Sequence, residues 1–66
     1  MKTYEDVVYD LGTTQAKMML DPTSTMRFYI PKETVAYLYE RDVENVELDI
    51  QMAYKMAMQD LTRALA

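Results

Sequence analysis

The chain has 66 residues, of which 50% are hydrophobic by a wide definition and 27% charged, a balance that fits one globular domain and excludes a disordered segment. It holds no Cys and no His, which excludes disulfides, a Cys/His zinc site, a thiolate nucleophile and an ordinary general base near neutral pH. The net charge is −4, and the longest apolar run, residues 35–39, falls far short of the roughly 20 residues that cross a bilayer, so a soluble, cytoplasmic protein without membrane contact is expected.

The excess charge comes entirely from the second half. Glu5, Asp6, Asp10 and Asp21 balance Lys2, Lys17, Arg27 and Lys32 in residues 1–32. After them Glu33 and Asp60 flank an acidic cluster of Glu40, Asp42, Glu44, Glu47 and Asp49, answered only by Arg41, Lys55 and Arg63. Such a patch repels nucleic acid and anionic lipid and attracts basic surfaces. It also suits a helix N-terminus, where carboxylates favour the positive end of the macrodipole.

In chain order, residues 3–11 carry two readings. Thr3 can cap a short helix ending at Gly12, but Val7, Val8 and Tyr9 are β formers and Val7, Tyr9 and Leu11 alternate, so a strand is expected with Gly12, Thr13 and Thr14 as a turn. From residue 15 to 20 Ala16, Met18 and Leu20 alternate with Gln15, Lys17 and Met19; Asp21, Pro22, Thr23 and Ser24 supply turn chemistry; Met26, Phe28 and Ile30 then alternate with Thr25, Arg27 and Tyr29. That pattern predicts a hairpin. Pro31 suits the first turn of a short helix reaching about Arg41, with Val35, Leu38 and Tyr39 inward and Tyr37 pointing elsewhere.

The long element runs from Val43 to Leu65. As a helix it aligns Val43, Val46, Ile50, Ala53, Tyr54, Ala57, Leu61, Ala64 and Leu65 on one stripe, while Leu48, Met52 and Met56 form a second ridge at i, i+4 and i+8. Asp42 or Asn45 can cap it, which favours a break after the short helix, although no Gly or Pro separates the two. Twenty-three helical residues span about 34 Å, whereas a compact globule of this length is only about 28 Å across.

The expected fold is therefore α+β: a small antiparallel β-hairpin or three-stranded meander packed against a short and a long C-terminal helix. One small sheet cannot cover both ridges of the same helix, so a homodimer through Leu48, Met52 and Met56 is expected. Seven Met and six Tyr fit that reading, because both residue types enrich adaptable contact surfaces.

No reaction signature stands in the sequence. Glu44 and Glu47 share a helical face, but glutamates one turn apart are ordinary solvated pairs, and a single Gly excludes a glycine-rich phosphate loop. No catalytic residue, metal site or cofactor is expected, and the protein reads as a non-enzyme. The expected function is protein contact: Glu40, Asp42, Glu44, Glu47 and Asp49 form an acidic face for a partner whose basic surface normally holds nucleic acid. In size and charge the chain resembles the small acidic proteins that phages encode to block host factors, which implies a nucleic-acid mimic.

Residues 25–61 offer an alternative, since a strand bearing Arg27 and Tyr29, then Pro31, a short helix and a longer one, resemble a ribbon-helix-helix repressor. The resemblance implies a dimeric DNA-binding regulator with Thr25, Arg27 and Tyr29 as major-groove readers. Glu47 and Asp49 stand where its second helix would approach phosphate, so protein contact is the first reading and direct nucleic-acid binding the second.

Overall fold

The computed structural model describes residues 2–21 and 29–65, with Leu65 described by its backbone alone. Among the described residues there are three helices: α1 (Tyr4–Leu20), α2 (Lys32–Leu38) and α3 (Val43–Leu65). No strand occurs among the described residues. The α+β expectation is thereby corrected to an all-helical fold.

The strand expected over residues 3–11 is the first part of α1, and the turn expected at Gly12, Thr13 and Thr14 is helical as well. Thr3 does cap a helix, its hydroxyl accepting the Asp6 N–H at 3.2 Å. That helix does not stop at glycine, and runs on through the residues expected to form the first arm of the hairpin. Tyr4, Val8, Gly12 and Ala16 recur every four residues and are the buried line of α1. A Cβ added at Gly12 would lie 2.6 Å from the Ala53 Cβ and 2.7 Å from the Tyr54 backbone nitrogen. Glycine is there because two helices touch backbone to backbone, a packing reason that outweighs its poor helix propensity. Most of the second arm, residues 22–28, lies outside the described residues. Tyr29 and Ile30 form irregular backbone.

Helices α1 and α3 run in the same direction: Tyr4 meets Asp49, Gly12 meets Ala53, and Leu20 lines a cleft with Leu61. Parallel neighbours need a returning connection, and the segment containing α2 supplies it. The core gathers where all three helices meet, from Tyr4, Val8, Val35, Ala36, Val46 and Ile50, with Leu11, Ile30, Tyr39 and Val43 packed against it. Within α2, Val35 and Ala36 are buried and Tyr37 is 84% exposed, as its position implied, but Leu38 is exposed rather than inward. Ala36 takes the contact that Leu38 was expected to make.

The stripe expected on α3 is largely the packed one. Val46, Ile50 and Ala57 are buried and Val43, Ala53, Tyr54 and Leu61 half-buried, though they rest on α1 and α2 and not on a sheet; Ala64 is exposed. The molecule measures 38 × 23 × 22 Å, so the long helix sets its length. No helix among the described residues is long and apolar enough to cross a membrane.

Candidate interaction surface

The turn between α2 and α3 is built from the first acids of the cluster. Glu40 has a φ of 54°, the left-handed region. It closes α2 with a double backbone lock, Arg41 N–H to Ala36 C=O at 2.8 Å and Glu40 N–H to Tyr37 C=O at 3.4 Å. This is the Schellman pattern with a glutamate where glycine is usual. Asp42 then starts α3, its carboxylate accepting the Glu44 N–H at 3.0 Å. The break between the helices and the choice of Asp42 as cap agree with the capping argument.

The remaining acids diverge. Asp49 turns toward α1 and accepts the Tyr4 hydroxyl at 2.6 Å. Glu47 meets the Lys32 ammonium at 3.3 Å, a partly exposed pair of small energetic weight. Glu40 and Glu44 are exposed, and neither carboxylate makes a hydrogen bond or ion pair among the described residues. The five acids thus do not form one uniform face. Asp42 and Asp49 are engaged in the fold, whereas Glu40, Glu44 and, less freely, Glu47 face outward.

Tyr4 organises the end of the molecule where α1 and α3 begin. The Arg41 guanidinium carbon lies 4.3 Å from its ring centroid and Tyr39 packs edge-on at 5.9 Å. The Tyr39 hydroxyl in turn donates to the Lys2 carbonyl at 2.6 Å. Burial, then the hydrogen bond to Asp49 and its negative charge, push the Tyr4 phenol up to about 12, with Arg41 opposing. Lys2 sits 2.6 Å from Asp10, which raises its ammonium above the ordinary lysine value. Nothing in the sequence exposed this cluster, because Tyr4 and Asp49 are brought together only by the pairing of α1 with α3.

The second ridge is open. Leu48, Met52 and Met56 are 58%, 62% and 64% exposed, and Tyr9 of α1 is exposed beside them, lining with Met52 and Ala53 a shallow groove of about 400 Å³. At about 100° per residue the ridge stands roughly 120° around α3 from the line that packs on α1. A larger cleft of about 530 Å³ lies on the other side, lined among others by Gln15, Ile30, Lys32, Glu47, Tyr54 and Lys55. Its charged groups among the described residues are Lys32 and Glu47 of the ion pair, and Lys55. Among the described residues no group of acids is placed to hold a metal ion. Of the alternative DNA readers, Tyr29 is exposed, and Thr25 and Arg27 lie outside the described residues. The paired strands that would carry them in a ribbon-helix-helix dimer have no counterpart among the described residues, where Tyr29 stands in irregular backbone.

No protein family, curated protein sequence or solved structure matches this chain.

Proposed function

We propose that this protein acts by contact, as a small acidic protein that occupies the basic, nucleic-acid-binding surface of a partner protein and so inhibits or regulates it. The observation that carries the reading is the pair of unpartnered carboxylates, Glu40 and Glu44, held outward on fixed backbone at the start of α3. Glu47 lies one turn further along, and Glu5 and Asp6 add charge at the start of the parallel α1. Carboxylates fixed in this way pair with Lys and Arg side chains that would otherwise meet phosphate, with no ordering cost for the acidic backbone. Binding of this kind competes with nucleic acid and weakens as salt screens the charges.

The test is displacement. Basic proteins retained on DNA-cellulose at low salt should be released by the wild-type chain, and far less by the triple variant E40Q/E44Q/E47Q, with circular dichroism confirming that the variant folds. Release by neither protein, or equal release by both, overturns the reading. Retention of the chain itself on the DNA would replace it with direct binding through Thr25, Arg27 and Tyr29.

A further inference from the structure

The exposed ridge of α3 needs a different occupant from the acidic end. A basic partner seated on Glu40 and Glu44 would meet Lys55 and then Arg63 if it continued along Leu48, Met52 and Met56, because Lys55 lies beside the second half of the ridge and Arg63 about two turns beyond its end. On one flank of the ridge the charge changes sign along the helix, from Glu44 to Lys55, while the acids Asp49 and Asp60 stand on the other flank. On a helical projection Glu44 and Lys55 lie within about 20° of each other, three turns apart, on one flank of the apolar line. A flank that is acidic at one end and basic at the other, beside an apolar line, complements itself when turned end over end.

We infer that the ridge is the seat of a second copy of this chain, docked with its α3 antiparallel and its two-fold axis near Met52. An isologous contact places each residue against its symmetry-related position. With the axis at Met52, Leu48 faces Met56 of the partner subunit, and Met52 faces its own counterpart. Glu44 comes within side-chain reach of Lys55 of the partner subunit, and the same pair forms again on the other side of the axis. The antiparallel arrangement also opposes the two helix dipoles and separates the two acidic ends. A parallel arrangement would stack both acidic ends together. Unbranched Met side chains can interdigitate at the axis without a preformed socket. Tyr9, on the shoulder of the groove, widens the contact beyond one helix.

The dimer engages Glu44 but leaves Glu40 and Glu47 facing outward, so it can coexist with a partner contact made through those two carboxylates and does not rest on it. Sedimentation equilibrium at tens of micromolar should show dimer. Met52→Lys should raise the dissociation constant about thirtyfold or more, the size of a central interface anchor, with unchanged helix content because the side chain is already exposed. The charges give a second measurement. Glu44→Lys and Lys55→Glu should each weaken self-association, and an equimolar mixture of the two should form heterodimer, since every cross-axis pair then joins opposite charges.

A wild-type chain that sediments as monomer at these concentrations overturns the inference, as does a dimer insensitive to Met52→Lys. A dimer broken by Met52→Lys but indifferent to both charge reversals, or unrestored by mixing them, overturns the antiparallel register. Loss of displacement in E40Q/E47Q, which spares Glu44, with the dimer intact, and loss of the dimer in Met52→Lys with displacement intact, would separate the two surfaces.

Discussion

The two long sides of α3 are both apolar and do opposite things. Toward α1 and α2 it presents Val46, Ile50, Ala53 and Ala57, which are small or β-branched, and Ala53 lies against Gly12 at near-backbone distance. Outward it presents Leu48, Met52 and Met56, which are long, not branched at Cβ, and more than half exposed. Hydrophobicity alone therefore does not say which side is the core. Side-chain size does, because two helices can approach closely only where Cβ groups are few, while long flexible chains fill an interface whose other half is supplied later.

The difference is tested most severely by placing one charge on each side. Ile50 is 1% exposed, and Ile50→Lys would bury an unpaired ammonium at a cost of about 4 kcal/mol or more, comparable to the whole stability of a domain this small. Met52, two residues along, is 62% exposed, and the same substitution there should leave the fold standing. Urea unfolding followed by circular dichroism should find Ile50→Lys unfolded without denaturant and Met52→Lys with an ordinary transition. Similar behaviour of the two variants would mean that the sides have been assigned wrongly.

A finer probe is the closest approach itself. Gly12→Ala would gain about 1 kcal/mol of helix propensity, but the new methyl would collide with the Ala53 Cβ and, at 2.7 Å, with the Tyr54 backbone nitrogen, which cannot rotate aside. Overpacking of this kind costs about 1 to 3 kcal/mol, so a net loss of up to about 2 kcal/mol is expected in chemical denaturation. Adding Ala53→Gly should recover only part of it, because the backbone contact remains.

Gly12 also explains how far the fold was legible. The bounds of α3, its cap at Asp42, its inward Val46 and Ile50, and its outward second ridge follow from periodicity and capping chemistry that lie within one segment. Helix α1 was misread because the glycine looks local but has a distant cause: it accommodates Ala53, which only the folded chain brings near. The β-branched Val7 and Val8 and the short alternation of Ala16, Met18 and Leu20 then pointed the same wrong way, and packing overrode both. For the candidate surface the division is similar. Exposure of Glu40 and Glu44 could be expected, whereas the diversion of Asp49 to Tyr4 depends on a pairing of helices that no local pattern encodes.

That diversion gives the third probe, at the end where the two sides of α3 are anchored. Tyr4 has its folded-state pKa raised to about 12 from an ordinary value near 10. The unfolded chain therefore loses this proton first, so the contribution is fully present below about pH 10 and is lost as pH rises toward 12. Tyr4→Phe removes the hydroxyl bonded to Asp49 and should cost about 1.5 to 3 kcal/mol at neutral pH, the range for a hydrogen bond to a charged group. Across pH 10 to 12 the gap between wild type and variant should close, as read from urea midpoints. A gap that stays constant would show that the hydroxyl is not the group responsible.

The smallest expected effect runs the other way. Glu40 holds a left-handed backbone at the end of α2, a conformation that costs a non-glycine residue about 1 kcal/mol or more. Its carboxylate makes no compensating bond among the described residues, and Glu40→Gly keeps both backbone hydrogen bonds of the turn. The substitution should therefore stabilise the fold, by up to about 1 kcal/mol, seen as a raised unfolding midpoint. If the outward carboxylates serve a partner, the same variant should displace basic proteins from DNA less well than wild type. Stability gained together with displacement lost would mark Glu40 as a residue kept for contact at the expense of the fold, which is the property that separates the outward surface from the packed one. Stability gained with displacement intact would confine the contact to Glu44 and Glu47.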